Sequence, residues 1–372
     1  MVAWPVVRLV KPFRALRYDE AHAGRLDDLV APPHDVITPD LHAQLLAASP
    51  YNSVRLIHPD DPGNAARALR DWKDGGVLVR EREEAVWVLE DEFATPDGTI
   101  RRRRGVVARV RLEPYAAGLV LPHERTFPRQ KDVRLELLRA TRTKLSPILL
   151  LHEGDSPAPP SPEADLHATL EGTTSRLWRV TDRDEIDAVV AHVRGTFLIA
   201  DGHHRYETAL RFHEEDGTDE TGYALAVLVS RADPGLVILP THRLAESAPT
   251  ELDGEPTGGV EEALAELARV PREQAAFVLV QRNGARLVQT EEAELDTMVV
   301  DELPLEGVTY TANAREAERA VASGAAAAAF LVRPPTMEQV ETFARTGERM
   351  PPKSTYFFPK LTSGLLFSPF DE

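Results

Sequence analysis

The sequence contains no cysteine among its 372 residues. Disulfide bonds, thiolate metal sites and a cysteine nucleophile are therefore excluded, and the composition fits a reducing compartment. No stretch approaches the roughly 18 consecutive apolar residues of a membrane-spanning helix. Met1–Leu9 is short, is interrupted by Pro5 and Arg8, and lacks the pattern of a signal peptide. We therefore expect a cytoplasmic protein that is neither secreted nor inserted in a membrane.

Several common catalytic motifs are also missing. The sequence has no phosphate loop of the Gly-x-x-x-x-Gly-Lys-Ser/Thr type, no dinucleotide-binding Gly-x-Gly-x-x-Gly after a strand, no Gly-x-Ser-x-Gly elbow and no His-Glu-x-x-His. The net charge of −17 repels nucleic acid phosphates. The dense basic run Arg101–Arg104 follows the turn signal Asp97-Gly98, which predicts the charged start of a strand after a hairpin. We therefore expect no nucleic-acid partner.

Strand-like and helix-like patterns alternate along the chain, which predicts an α/β protein with mixed sheets. Hydrophobic residues make up 42% of the sequence and charged residues 28%, as in ordinary globular proteins. We divide the chain into an N-terminal α/β region at 1–119, a central domain at 120–245 and a C-terminal α/β region at 260–372 that ends in an aromatic, lysine-rich tail. The polar segment 246–259 is the best candidate for a linker.

The strongest candidate for a functional site follows the predicted strand 196–200. The sequence Asp-Gly-His-His-Arg (201–205) leads directly into a predicted helix. Gly202 permits an unusual backbone conformation, and the first N–H groups of a helix attract anions. His203, His204 and Arg205 add side-chain donors, and Arg205 can hold a phosphate through two hydrogen bonds. The alternative is an ordinary strand–helix turn in which Asp201 caps the helix.

The loop 201–205 also contains residue types that can bind a metal ion. His203 and His204 are adjacent, whereas zinc sites usually take histidines three to five positions apart or on different elements. Mg²⁺ prefers carboxylate and phosphate oxygens. The sequence therefore favours a magnesium ion held by Asp201 and the phosphates of a substrate over zinc.

Four further polar segments are candidate parts of a site, although each can also be an ordinary loop, turn or buried arm. In Leu121–Thr126, Glu124 is a candidate general base beside His123, and Lys131, Arg134 and Arg142 follow closely in sequence. The remaining segments contribute His34 and Asp35 on a rigid double-proline turn, Thr241, His242 and Arg243 after a strand end, and Lys353 and Lys360, which can meet phosphate or carboxylate.

These motifs, in this order, resemble the bacterial and archaeal family called domain of unknown function 1015. The resemblance extends over nearly the whole chain. The matching segments are Pro12–Tyr18, Ala31–Ile37, Asn52–Leu56, Pro122–Thr126, Ser146–Ile148, Asp201–Arg205, Leu239–Arg243 and Pro352–Tyr356.

The central region is also similar to the ParB/sulfiredoxin fold, in which a Glu-containing segment leads into a helix and a later strand ends in a phosphate loop. The corresponding parts here are Leu121–Glu124, Arg134–Arg142, Pro147-Ile148 and Asp201–Arg205. The loop sequence is close to that of the free serine kinases of this group, which make O-phosphoserine. Sulfiredoxin chemistry is excluded because the chain has no cysteine.

The resemblance implies a phosphotransferase that moves a phosphoryl group from ATP, ADP or pyrophosphate to a small hydroxyl metabolite, with free L-serine as the first acceptor to test. Its implied catalytic residues are Glu124, Asp201 and His204, with Mg²⁺ at Asp201. Phosphate or nucleotide would bind at Gly202, His203, His204, Arg205, Arg134 and Lys353. The substrate would contact His34, Asp35, His123, Thr241, His242 and Arg243.

Two other functions remain open at this point. A regulatory nucleotide-binding protein of the ParB type would use the same loop without metabolic turnover. A phosphate-ester or nucleotide hydrolase would use Glu124 to activate water. The sequence also leaves open a homo-oligomer.

Overall fold

The computed structural model describes residues 9–247 and 252–370, apart from the side chains of 128–130 and 291–292. The chain divides into two compact units. Unit 1 comprises the described residues of 1–122, 126–236 and 359–372, and unit 2 comprises 123–125 and 237–358. In the described part of the chain, no helix is long and apolar enough to span a membrane.

Unit 1 is built on a mixed sheet, which confirms the predicted fold class. Its strands are β1 (Val10–Lys11), β2 (Leu16–Tyr18), β3 (Leu78–Arg80), β4 (Val86–Ala94), β5 (Ile100–Arg111), β6 (Val120–Leu121), β7 (Thr143–Lys144), β8 (Ile148–His152), β9 (Leu166–Leu170), β10 (Thr173–Val180), β11 (Phe197–Asp201), β12 (Tyr223–Ser230) and β21 (Ser368–Pro369). The main sheet has the order β6-β11-β8-β12-β5-β4-β10-β9, with β1 on β5. β11 runs parallel to β6 and antiparallel to β8.

The helices of unit 1 lie between these strands in sequence. They are α1 (Glu20–Ala23), α2 (Leu26–Leu29), α3 (Pro39–Ala48), α4 (Val54–Ile57), α5 (Pro62–Asp74), α6 (Pro128–Thr141), α7 (Arg183–Ala191) and α8 (His203–Asp216). The core contains the buried faces of β5, β8, β11 and β12 together with Tyr206 and Ala209 of α8. Burial of this apolar surface is the main term that fixes α8 on the sheet.

Unit 2 contains a second sheet, with the order β15-β17-β16-β19-β14-β18, and the separate pair β13-β20. Its strands are β13 (Val237–Leu239), β14 (His242–Ala245), β15 (Glu255–Pro256), β16 (Gln274–Gln281), β17 (Gly284–Glu292), β18 (Thr309–Thr311), β19 (Ala328–Val332) and β20 (Tyr356–Phe358). Its helices are α9 (Val260–Leu267), α10 (Asp296–Asp301), α11 (Ala314–Ser323) and α12 (Met337–Thr346).

The two units differ from the three regions drawn on the sequence. The expected boundary at 119/120 falls within unit 1 because β5 pairs with β12 across it, from Gly105 to Arg111. Part of the expected linker 246–259 forms β15, which pairs with β17 inside unit 2, and residues 248–251 lie outside the described residues. The lysine-rich tail is divided between β20 of unit 2 and β21 of unit 1.

The basic run at 101–104 is structural, as expected. It begins β5, directly after the turn that joins β4 to β5. Arg102 and Arg104 pair across the hairpin with Glu92 and Glu90, at 2.8 and 2.7 Å. Cross-strand carboxylates therefore neutralise these two guanidinium groups.

Candidate functional site

The predicted phosphate loop is a sharp turn between β11 and α8. The strand is buried until Ala200 and ends at Asp201, and the helix begins at His203. Gly202 occupies the N-cap position with φ 99°, a conformation that glycine adopts without steric cost. Asp201 is therefore not the cap. Since glycine has no side chain to bond the first N–H groups, the positive end of α8 is left to other acceptors.

Asp201 lies at the centre of a cluster of charged groups in unit 1. Its Oδ1 accepts a hydrogen bond from Lys360 Nζ, and its Oδ2 accepts one from Arg205. Lys360 Nζ is also 3.8 Å from Asp35 Oδ2. The structure thus brings Asp201, Arg205, Asp35 and Lys360 together.

The charges in this cluster hold one another in their ionised forms. Burial alone would raise the pKa of Asp201, but Lys360 and Arg205 outweigh it and hold that pKa well below its usual range. Burial alone would lower the pKa of Lys360, but Asp201 and Asp35 raise it. Asp201 and Lys360 therefore both remain charged at neutral pH.

This arrangement does not fit a magnesium site at Asp201. Both carboxylate oxygens already accept hydrogen bonds from cations, and a divalent ion would have to displace one of them. Among the described residues, no group of three or more His, Asp or Glu side chains is placed to hold a metal. The positive charge expected from a metal is supplied here by Lys360 and Arg205.

Arg205 is placed differently from the expectation that it grips phosphate through two hydrogen bonds. Besides its bond to Asp201, it donates to the backbone oxygen of Pro147. Its guanidinium also packs under Gly202, where an added Cβ would lie 3.1 Å from Arg205 Nε. Arg205 is thus a largely buried cation that connects α8 to the start of β8.

Replacing Gly202 with alanine should therefore lower the free energy of unfolding by about 2–3 kcal/mol, because left-handed backbone strain is added to the contact with Arg205. Gly217 ends the same helix at φ 72°, and an added Cβ there meets nothing within 4 Å. G217A is thus the matched control and should cost only about 1–2 kcal/mol. Urea denaturation of both variants measures the difference, and equal losses would show that the contact with Arg205 carries no energy.

The two histidines of the loop have different environments. His203 is buried, at 4% exposure. His204 is half-buried, and its Nε2 lies 2.9 Å from the backbone N–H of Phe127, which donates to it. In the neutral ring this hydrogen bond assigns the proton to Nδ1. The Phe127 ring stacks on His204 with its centroid 6.1 Å away, so the imidazole is held in one orientation.

Glu207, one turn further along α8, belongs to the same region and was not singled out from the sequence. Its Oε2 accepts hydrogen bonds from Thr126 Oγ1 at 2.7 Å and Lys131 Nζ at 2.9 Å. Its Oε1 lies 3.3 Å from the Tyr115 hydroxyl. The sequence did contain a signal for Glu207: it follows His203 by four residues, and this spacing places both side chains on the same side of a helix.

The predicted base Glu124 lies in unit 2. Its Oε1 accepts the backbone N–H of Lys353 at 3.2 Å, and its backbone forms a parallel bridge with Met350. His123 is buried, and its Nε2 lies 2.9 Å from Thr355 Oγ1. Within unit 2, His123 and Glu124 are therefore in direct contact with the segment 350–355. Lys353 has φ 59°, an unusual conformation for a lysine.

The segment 241–243 is buried inside unit 2 and does not line an open pocket as expected. Arg243 has no exposed surface, and its Nε and Nη2 donate to Asp301 at 3.0 and 3.1 Å. His242 Nδ1 accepts the N–H of Val332, and burial next to Arg243 lowers the pKa of His242 to about 4. Thr241 is 7% exposed. These contacts stabilise unit 2.

Two other predicted site residues lie in unit 1. Arg134, on α6, donates to the backbone oxygen of Ile57 at 3.1 Å, and burial and the like charge of Arg205 lower its pKa. His34 begins a short 3₁₀ helix that also carries Asp35. Arg134 is electrostatically coupled to the loop through Arg205.

Comparison with known proteins identifies the family. The model of the family described as "Protein of unknown function (DUF1015)" matches residues 10–306. No curated protein matches the chain. Among solved structures, a free serine kinase in complex with AMP is similar over 70% of this chain and 92% of its own, with 18% identity and a TM-score of 0.41.

Two further solved structures are similar to the same extent. A conserved hypothetical protein from Pyrococcus furiosus has 17% identity and a TM-score of 0.40, over 70% of this chain and 95% of its own. SbnI from Staphylococcus aureus, with a C-terminal truncation, has 13% identity and a TM-score of 0.38. The similarity covers 71% of this chain and 87% of the SbnI chain. Because the family model spans most of the sequence, the chain belongs to the DUF1015 family.

Proposed function

We propose that this protein is a phosphotransferase that moves a phosphoryl group from ATP, ADP or pyrophosphate to a small hydroxyl metabolite, with free L-serine as the first acceptor to test. The observation that carries the proposal is the turn from β11 into α8. It combines a helix N-terminus that no side chain caps with Lys360 and Arg205, which both bond Asp201, and with His203 and His204. Phosphoryl transfer depends mainly on positioning and on stabilising negative charge, which is what such a turn supplies.

Four residues of the loop, Asp201, Gly202, His204 and Arg205, have a role in this proposal. The first N–H groups of α8 hold the phosphates of the donor, and Gly202 allows them to approach the backbone. His204 donates through Nδ1, since its Nε2 is engaged by Phe127. Asp201 acts as a positioning residue, because both of its oxygens hold the cations that neutralise the phosphates.

Glu124 is the proposed acceptor of the hydroxyl proton. It is half-buried, and the N–H of Lys353 fixes one of its oxygens, so the carboxylate is oriented by backbone rather than by a mobile side chain. A carboxylate positioned in this way can act as a general base. Magnesium enters the test as a variable of the assay and has no assigned ligand in this chain.

The test is phosphorus NMR of the purified protein with L-serine and, in parallel, ATP, ADP or pyrophosphate, with and without Mg²⁺. A phosphoserine resonance that depends on the protein supports the kinase and identifies the donor. Loss of donor without phosphoserine would indicate a hydrolase or another acceptor. Binding of a donor with no reaction would contradict the kinase and favour a regulatory nucleotide-binding protein.

The variant His204→Ala tests the phosphate loop in the same assay. We expect it to weaken donor binding by about tenfold, the value of one lost hydrogen bond to a charged group. His192→Ala, at the end of α7, removes a histidine outside the loop and should bind the donor like the wild type. Unchanged donor binding by H204A would remove the loop from the proposal.

A further inference from the structure

A small cavity lies between α6, α8 and the sheet of unit 1, and it is cationic. Its volume is about 60 Å³, which gives room for about four water molecules. Of the described residues that line it, Arg134, Lys144 and Arg205 are cationic and none is acidic. The remaining lining consists of hydroxyl-bearing and apolar side chains.

Lys144 is the residue that most needs a partner. It is 7% exposed, and no hydrogen-bond acceptor within the described chain reaches its Nζ. The Phe370 ring lies 4.6 Å from that Nζ, a contact that satisfies none of its three N–H donors. β7 holds Lys144 in this position by pairing with β21, where Lys144 faces Ser368.

The charges around Lys144 do not compensate it. Arg109 of β5 has a like charge and is itself paired with Glu220, and Arg134 and Arg205 line the same cavity. Burial, with a smaller contribution from Arg109, lowers the pKa of Lys144 to about 7. A buried lysine without a counter-ion lowers the free energy of unfolding. Its presence here therefore indicates a partner outside the described residues.

A second polar group in the cavity also lacks a partner. Thr208 of α8 is 3% exposed, and among the described residues nothing accepts from or donates to its Oγ1. Thr208 and Lys144 come from different elements and line the same space. Buried polar atoms of this kind are normally satisfied, so two in one cavity indicate a missing hydrogen-bonding ligand.

We propose that this cavity is a binding site for a small oxyanion, a phosphate or carboxylate group, held by Lys144 and Thr208 with Arg134 beside them. The anion accepts from Lys144 Nζ and from the Thr208 hydroxyl, and it neutralises an otherwise unbalanced cluster of positive charge. The volume suits one such group and excludes a nucleoside. This inference concerns binding alone and does not depend on the phosphotransfer reaction.

The experiment is titration calorimetry of the full-length protein with sulfate, whose charge is constant across the pH range used. We expect binding near pH 7 that weakens as the pH rises to about 9, because Lys144 must be protonated to hold the anion. In Lys144→Met, sulfate binding should fall by at least about tenfold. Thr208→Val, which keeps the shape of the side chain, should weaken it less.

Three control variants separate this site from other sources of anion binding. Lys11→Met removes a lysine that pairs with Asp219 and Glu220, and it should bind sulfate like the wild type. His192→Ala, at the end of α7, removes a histidine that does not line this cavity and should leave sulfate binding intact. Asp371 and Glu372 lie outside the described residues; if D371N/E372Q bound sulfate much more tightly than the wild type, the chain's own terminus would be the occupant and the proposal would be overturned.

The stability of the protein without ligand gives an independent measurement. Because the folded-state pKa of Lys144 is lowered, the unfolded chain binds a proton more readily, and the free energy of unfolding should rise between about pH 7 and pH 10. Lys144→Met should be more stable than the wild type at pH 7 and should lose this dependence. A K144M protein that is less stable at pH 7 and still binds sulfate normally would overturn the proposal. Comparing orthophosphate with methyl phosphate then distinguishes a free ion from the phosphate group of a metabolite.

Discussion

Replacing Lys360 with methionine should lower the free energy of unfolding by about 2–3 kcal/mol, because it leaves the carboxylate of Asp201 with half of its compensating charge. The side chains of Lys360 and Asp201 are 15% and 12% exposed, so water replaces the lost ammonium poorly. Arg205 remains bonded to Asp201, which keeps the loss below that of a fully orphaned carboxylate. Urea denaturation near pH 7 measures the effect.

The pH dependence of that stability has a definite sign. The pKa of Asp201 is depressed in the folded protein, so its contribution is present above the ordinary pKa of an aspartate and is lost as the pH falls. In Lys360→Met the pKa of Asp201 moves back toward its ordinary value, and the acid-induced loss becomes smaller. The double variant D201N/K360M removes both members of the pair and should recover part of the stability.

Lys131→Met is the matched control for this experiment. Lys131 also pairs with a carboxylate of unit 1, Glu207 at 2.9 Å, but the two side chains are 30% and 22% exposed. Such pairs contribute at most about 1 kcal/mol. If K360M and K131M lowered the free energy of unfolding equally, the pair between Lys360 and Asp201 would stabilise the protein no more than a surface ion pair does.

Glu124→Gln is the variant with the largest expected effect on activity. If Glu124 accepts the proton of the acceptor hydroxyl, its loss should reduce kcat by about 10²–10⁴-fold. Donor binding should be unchanged, because the helix terminus and the cations of the Asp201 cluster are untouched. The amide oxygen of glutamine can still accept the N–H of Lys353, so the local backbone is retained.

The measurement combines initial rates of product formation with calorimetric binding of the donor. Glu136→Gln, an exposed residue of α6, is a suitable control and should have the rate of the wild type. Full turnover by E124Q would assign the base to another group. Loss of donor binding together with turnover would instead point to a structural role for the contact between Glu124 and Lys353.

Local structure could be predicted from the sequence where the hydrophobic periodicity and the capping residues indicated the same element. α11 has both end signals in its sequence, since Asn313 caps its start and Gly324 ends it. The strand leading into 201–205 and the helix after it are also confirmed, although α8 begins inside this loop, at His203. Strand β17 was missed because its charged residues conceal the alternation that pairing with β16 requires.

Contacts between distant residues could not be read from the sequence. Lys353 and Lys360 had the same chemical argument for a role in the site, and the path of the backbone decides which of them reaches Asp201. Arg243 was a candidate site residue because it follows a strand end, yet it is fully buried, and Asp301 and backbone oxygens accept its hydrogen bonds. Lys144 could not be identified as a candidate from the sequence, because what marks it is the lack of a hydrogen-bond acceptor for its Nζ among the described residues.

The order of synthesis along the chain also matters for the Asp201 cluster. Lys360 follows Asp201 by 159 positions, and Arg103 of β5 similarly donates to the backbone oxygen of Pro359. On the ribosome, β11 and α8 emerge long before the ammonium group that balances Asp201 exists. A product terminated before Lys360 keeps Arg205 but lacks the ammonium group, so Asp201 has only one of its two counter-charges. Translation to this point is a condition for a competent site.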